Sequence, residues 1–237
     1  MPTPFELTAR TVRGLFGLWI HTPPILDTAE WFPEASLYEE RWGEMRDEVL
    51  PLLPHRADIP RFHELMAEQA DISANDGIDW RMLLLRVYGV DQEENLARFP
   101  ALAELLAAHP HVRTAVISIL DAGKHVPPHR GPYRGILRYS LPLVVPTGAD
   151  GEPQSWLRVD EHRVSWHEGR GLLWDDTFEH EVRNEGASPR VALLLDVARP
   201  NMPLVPRAID RVVTGALSHS RSLERTVAEA AVPAPRA

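Results

Sequence analysis

Residues 125–135 read HVPPHRGPYRG, placing His125 and His129 four positions apart just after an apolar run. A histidine at such a strand end is a nitrogen ligand suited to ferrous iron, and in many mononuclear iron oxygenases a His-x-Asp sequence supplies a carboxylate beside it. Here the sequence is His129, Arg130, Gly131, so the carboxylate position holds glycine. A second imidazole, His180, lies in WDDTFEHEVRN behind Asp175 and Asp176. Strands of a jelly roll return beside one another, so His129 and His180 can meet at its mouth. Pro127 and Pro128 forbid a helix that would put His125 and His129 on one face, which leaves His125 on the rim. His55, His63, His109, His111 and His219 read as surface residues, and His162 and His167 as solvent-facing strand ends.

Two arginines complete the set. Arg138 and Arg190 both fall in strand-like runs, where an inward guanidinium requires an anion, and the fork of donors fits a carboxylate. The alternative is a pair of strand-end arginines in surface ion pairs. Asp175 and Asp176 have three possible roles: metal ligands, a turn cap, or an acceptor that orients a ligand histidine.

These residues need a β framework. VRTAVISIL, GILRYSLPLVV, SWLRVD, HRVSWH, GLLWDD, HEVRN and RVALLLDVA are short, rich in branched and aromatic residues, and divided by Gly, Asp, Pro or Asn. That texture predicts a sandwich or barrel, and the strand count fits an eight-stranded jelly roll of cupin type. Pro142 inside one strand predicts an edge or a bulge. Upstream, SLYEERWGEMRDEVLPLL predicts a helix capped by Ser36, PRFHELMAEQADI a helix from Pro60, and FPALAELLAAHP a short helix. DWRMLLLRVYGV predicts a strand ending at Gly89. One more helix, PRAIDRVVTGAL, follows the β region, and the tail AAVPAPRA is expected to fray. The fold expected is a mainly β single domain: residues 1–110 helical and irregular, 111–200 the jelly-roll core, 201–237 a helix and tail.

Composition narrows the function. A chain of 237 residues with 44% hydrophobic and 25% charged residues is ordinary globular material. The net charge of −9, without a basic run, argues against a nucleic-acid partner. With no cysteine, thiolate sites, iron–sulfur clusters and cysteine nucleophiles are excluded. RGLFGLWI is too short to span a bilayer and lacks a following cleavage site, so a cytoplasmic protein is expected. That stretch is expected to pack on the core as a helix. Membrane contact is possible but not favoured.

Taken together, SILDAGKHVPPHRGPYRGILRYSLPLVVP, WHEG at 166–169, LLWDDTFEHEVRN and RVALLLDVARP resemble the aspartyl/asparaginyl β-hydroxylase family. WFP at 31–33 and WRMLLLRVYG at 80–89 resemble its N-terminal part. The family comprises iron(II)- and 2-oxoglutarate-dependent oxygenases built on a double-stranded β-helix, and bacterial lipid A and ornithine-lipid hydroxylases belong to the same wider group. The resemblance implies that His129 and His180 hold iron(II), with Gly131 at the missing carboxylate. It implies that Arg190, helped by Ser118, binds the distal carboxylate of 2-oxoglutarate, with Arg138 near the other. Ser140 departs from the pattern, standing where the family usually has histidine, and can still donate a hydrogen bond. O2 would be the oxidant. The expected substrate is an Asp or Asn residue of a peptide, or a related amino acid, hydroxylated at the β-carbon. The alternatives are a fatty-acyl chain, or no chemistry at all in an inert jelly-roll binding module.

Overall fold

The computed structural model describes residues 3–232. Eleven strands form two antiparallel sheets: β1 (Ile25–Leu26), β2 (Trp80–Val87), β3 (Val90–Asp91), β4 (Val112–Leu120), β5 (His125–His129), β6 (Ile136–Val144), β7 (Ser155–Val159), β8 (His162–Ser165), β9 (Leu172–Trp174), β10 (His180–Asn184) and β11 (Arg190–Ala198). The large sheet runs β1-β9-β6-β11-β4-β2-β3 and the small one β5-β10-β7-β8. This is the expected jelly roll, with helices before and after it.

Alternation along the large sheet separates core from site. On β4, β6 and β11, Ile117, Ile119, Leu137, Tyr139, Leu141, Leu193 and Leu195 are buried against Phe32, Tyr38, Phe99 and Leu102 of the N-terminal region. The intervening positions face the small sheet, because successive strand residues point to opposite faces. The register sets Ser118 beside Ala192, and Ser140 and Arg138 beside Leu194 and Asp196. Ser118, Arg138, Ser140 and Arg190 therefore share one inward face.

Several elements differ from the sequence expectation. The stretch from Ser36 divides into helices Ala35–Glu40 and Trp42–Val49, then a 3-10 segment Leu50–Asp58. Ser36 is no cap: it lies inside the first turn and donates to Pro33 O. The helix expected from Pro60 breaks into Phe62–Leu65, Ala67–Gln69 and Ala70–Ser73. At Pro142 the register with β11 slips, and β9 pairs with β6 only at Arg138–Ser140, so Pro142 sits at a bulge and beyond the last β9 partner. A second C-terminal helix, Arg221–Glu229, follows Leu204–Ser218. Of the tail expected to fray, Ala230 and Val232 are buried, and Ala230 O and Val232 N bond to Asn95; residues 233–237 lie outside the described residues. His63, His109 and His111 are half-buried rather than exposed, the last two packing near Phe32 and Tyr38. Among the described residues no helix is long and apolar enough to cross a membrane.

Candidate active site

His125–His129 is a strand despite its prolines. β5 sits at the edge of the small sheet, where missing amide donors are tolerated. Its register holds a bulge: His129 pairs with His180 and Val126 with Val182, so three steps on β5 oppose two on β10. Strict alternation would turn either Val126 or His129 outward. The extra residue at Pro127–Pro128 lets Val126 be buried in the core while His129 faces His180. His125 turns away, its Nε2 2.8 Å from Glu181, which Arg158 also holds. It lies on the rim, as its spacing implied.

The His129 and His180 rings stand 4.0 Å apart, centroid to centroid. His129 Nδ1 lies 2.7 Å from Pro127 O and His180 Nδ1 2.9 Å from Phe178 O. A carbonyl only accepts, so each Nδ1 carries the hydrogen and each Nε2 presents a lone pair, the tautomer of a metal ligand. Burial lowers the pKa of His129, and lowers that of His180 well below the ordinary range with a further contribution from His129. Both are neutral at pH 7. Among the described residues no three His, Cys, Asp or Glu side chains converge as a metal-ligand set.

Asp176 fills the space beside Gly131. A Cβ built on Gly131 would lie 2.3 Å from the Asp176 carboxyl carbon. Any side chain at position 131 collides with that carboxylate. Gly131 N donates to Asp176 O (2.7 Å), and Arg13 donates to Gly131 O (2.9 Å), fixing the corner from both sides. Asp176 Oδ1 is buried without a hydrogen-bond partner, and burial pushes the carboxyl up to about 7 against the pull of Arg138. Asp175 does different work. It accepts from Thr177 N and Oγ1 and pairs with Arg199 at 2.7 Å, so it is the turn cap and structural ion-pair partner.

Two cavities meet at the histidines. A narrow inner chamber of about 40 Å³ is lined by all six residues singled out in the sequence: Ser118, His129, Arg138, Ser140, His180 and Arg190. Trp80 Nε1 donates to Ser118 Oγ and Trp174 Nε1 to Ser140 Oγ, both at 3.1 Å. Each serine thus keeps its own O–H to donate. Arg190, 2% exposed, stacks over Trp166, and its Nε has no partner. Burial alone pushes its pKa down to about 9, so a charged guanidinium sits in the chamber with no carboxylate of the described residues against it. Arg138 is already engaged, 2.9 Å from Asp196 and 3.4 Å from Asp176. Burial opposes its charge, but the two carboxylates outweigh that and raise its pKa.

The outer cavity, about 310 Å³, is walled by apolar side chains including Leu65, Met66, Leu84, Val116, Ile136 and Leu194. Arg138 is the one Lys or Arg among its described lining residues. Phe62 stacks on Trp80 at 4.0 Å beside it. Sequence reasoning missed Arg13 and Lys124, and named Asp176 without its place at Gly131. Asp176 at the Gly131 corner and Arg13 from the first helix depend on tertiary approach. Lys124, 0% exposed, ties the Ser73–Asp76 turn to β5 through Ser73 O, Asn75 and Asp76, and its burial between Gly123 and His125 leaves no periodic trace.

A jelly roll with two facing neutral histidines and a buried, unpaired arginine beneath them has the form of a small-molecule enzyme site. The profile described as aspartyl/asparaginyl beta-hydroxylase matches residues 39–200, and the chain belongs to that family of hydroxylases. It is 35% identical over 178 residues to an ornithine lipid ester-linked acyl 2-hydroxylase of Rhizobium tropici, covering 75% of this chain and 61% of that protein. It is 29% identical over 184 residues to the human aspartyl/asparaginyl beta-hydroxylase, covering 73% of this chain and 23% of that protein. The chain thus spans less than two thirds of either relative. A cupin domain from Bordetella pertussis overlaps 35% of this chain and 79% of its own at a TM-score of 0.28 and 15% identity.

Proposed function

We propose that the protein is an iron(II)- and 2-oxoglutarate-dependent hydroxylase acting on a fatty-acyl chain. The observation that carries the cofactor reading is Arg190: a buried cation without a counter-ion, at the base of a chamber whose other end is two neutral imidazoles. His129 and His180 would hold the metal through Nε2, and Arg190 with the Ser118 and Ser140 hydroxyls would hold the distal carboxylate of 2-oxoglutarate. Bound together, iron(II) and 2-oxoglutarate supply the oxidising power: O2 is divided between succinate, formed with carbon dioxide, and a new C–OH.

The residues do the positioning. Pro127 O and Phe178 O fix the two tautomers. Ser118 and Ser140, braced by indole N–H groups, aim their hydroxyl hydrogens into the chamber without turning away. Asp176 lines the same outer cavity as the histidines, its carboxyl raised by burial to about 7. The Phe62–Trp80 stack and the aliphatic wall exclude water from the outer cavity.

The substrate class follows from that wall. An aspartyl substrate brings a carboxylate, but Arg138 is saturated by Asp196 and Asp176. A peptide brings amides, which a mostly aliphatic wall leaves unpaired. An acyl chain needs neither, and the Rhizobium relative is named for acyl hydroxylation. The test offers acyl lipids and Asp- or Asn-containing peptides to the enzyme with iron(II), ascorbate and 2-oxoglutarate, and reads the gain of one oxygen atom by mass spectrometry. Oxygen on the acyl chain is expected; oxygen on the peptide alone would replace the acyl reading with the β-carbon one.

A further inference from the structure

We propose that the N-terminal helix Pro4–Gly17 and the C-terminal helix Leu204–Ser218 together form a docking face for an anionic lipid bilayer, and that the groove between them is where an acyl chain enters. The docking face stands on its own observations; the entry route rests on the acyl-substrate reading above.

Each helix has a buried and an exposed apolar side. Phe16 and Ile20 pack with Met202 and Ile209, which anchors the two helices to one cluster. Their outer faces remain apolar. Leu7, Leu15 and Leu18 form a stripe at near-helical spacing, with Leu18 66% exposed. Leu204, Ala208 and Val212 form another at every fourth position, Leu204 79% and Val212 72% exposed. Trp19 adds an aromatic at the end of the first stripe. Scattered exposed apolar residues are normal, but two exposed stripes on helices that share one cluster and one groove make an interaction surface.

Charge selects the occupant. The chain carries −9 overall, yet each of these helices has a single carboxylate, of which only Glu6, at the very start of the first helix, is exposed. Glu6 closes a capping box with Thr3 at the start of the first helix. Asp210 is buried and held by Arg113 and Tyr133. The exposed charges left are Arg10, Arg207 and Arg211. Apolar stripes flanked by arginine in an otherwise acidic molecule are complementary to an anionic bilayer surface. A second copy of this acidic chain has no such advantage.

The groove between the helices leads to the site. It is a cavity of about 270 Å³ lined by Phe5, Val12, Leu15, Ile209 and Val213, together with Tyr88, Pro132 and Tyr133. Those last three also line the outer cavity, at whose far end lie His129 and His180. Tyr88 adopts a left-handed backbone (φ 49°) in the turn after β2, and Tyr133 stacks edge-on to Phe16. Both rings stand at the passage from groove to site. From the same first helix, Arg13 reaches Gly131 O.

Flotation of the purified iron(II) protein with vesicles tests the docking face. Wild type should float with equimolar phosphatidylglycerol and phosphatidylcholine, and less with phosphatidylcholine alone. Leu18→Glu and Val212→Glu should each lower the bound fraction about tenfold, with an unchanged melting temperature and unchanged turnover of a detergent-dispersed acyl substrate. Arg10→Glu combined with Arg211→Glu should weaken binding to the anionic vesicles only. Wild type that fails to float, glutamate variants that float normally, or a solution dimer that these variants dissociate would each overturn the docking face. Val12→Trp, which fills the groove, should still float but lose turnover of vesicle lipids. If that turnover persists, the route is wrong. If wild type floats yet hydroxylates no acyl chain in detergent either, it is the acyl-substrate reading that fails and the docking face that survives.

Discussion

Replacing Arg190 by Met should do two opposite things at once. The guanidinium is 2% exposed and its pKa is pushed down to about 9 by burial alone, with no opposing carboxylate. The guanidinium is therefore still charged at neutral pH, and below about pH 9 the fold carries the full cost of burying that charge. At about 1.4 kcal/mol per pH unit, the full depression from the ordinary value corresponds to roughly 5 kcal/mol, an upper bound. If about 2 kcal/mol of it is relieved by a well-packed methionine, a chain of this size should melt roughly 4–8 °C higher. On the function proposed above, the same change removes the anchor of 2-oxoglutarate. Truncating one partner of a buried charge pair costs roughly 2–5 kcal/mol, which raises the 2-oxoglutarate requirement by about 30-fold or more. Thermal melts with iron(II) under anaerobic conditions, with and without 2-oxoglutarate, read both effects. Wild type should gain about 2.7 kcal/mol at 100 times its Kd, and the variant at the same concentration about 0.9 kcal/mol or less. A variant that melts lower than wild type and still responds fully to 2-oxoglutarate would refute the assignment of Arg190 as an anion anchor.

The Gly131 corner gives a paired prediction. Gly131→Ala places a methyl 2.3 Å from the Asp176 carboxyl carbon and should destabilise the fold by roughly 1–3 kcal/mol, whereas Gly131→Ala with Asp176→Gly should recover the loss in a denaturant titration. Asp176 itself is raised to about 7, so the cost of its ionisation to folding grows as pH rises above the ordinary aspartate value of about 4 and is complete above about 7. In the metal-free protein, Asp176→Asn should raise the melting temperature most above about pH 7, less near about pH 5, and little below about pH 4. His129 and His180 have lowered pKa values, so their contribution is complete above the ordinary histidine value of about 6.5 and is lost as pH falls below it. Acid melts of the metal-free His129→Gln/His180→Gln protein should show a shallower decline with pH than wild type.

The strands were legible where branched and aromatic residues ran unbroken, as in VRTAVISIL and RVALLLDVA, because their alternation encodes which face is buried. β5 was hidden because Pro127 and Pro128 argue locally against a ladder, although their bulge is what turns His129 inward. His129, His180 and the four inward residues Ser118, Arg138, Ser140 and Arg190 could be named from motif order, and one cavity gathers them. What Arg138 is bonded to could not be read, since Asp196 is fifty-eight positions away in sequence. Nor could the proximity of Asp176 to Gly131, which depends on two loops meeting. The helices before the core were misjudged for a local reason: apolar residues suggested continuous helices, while Pro51, Pro54 and the half-buried polar turns divide them into short pieces.

The most direct test of the cofactor reading is an anaerobic titration of the purified protein with iron(II) and 2-oxoglutarate, followed by visible charge-transfer absorption. The chelate held by His129 and His180 should give a band that saturates at one iron per chain, is absent from His180→Ala, and needs far more 2-oxoglutarate in Arg190→Met. Wild type that develops no band, or a His180→Ala protein that develops the same band, would contradict the account.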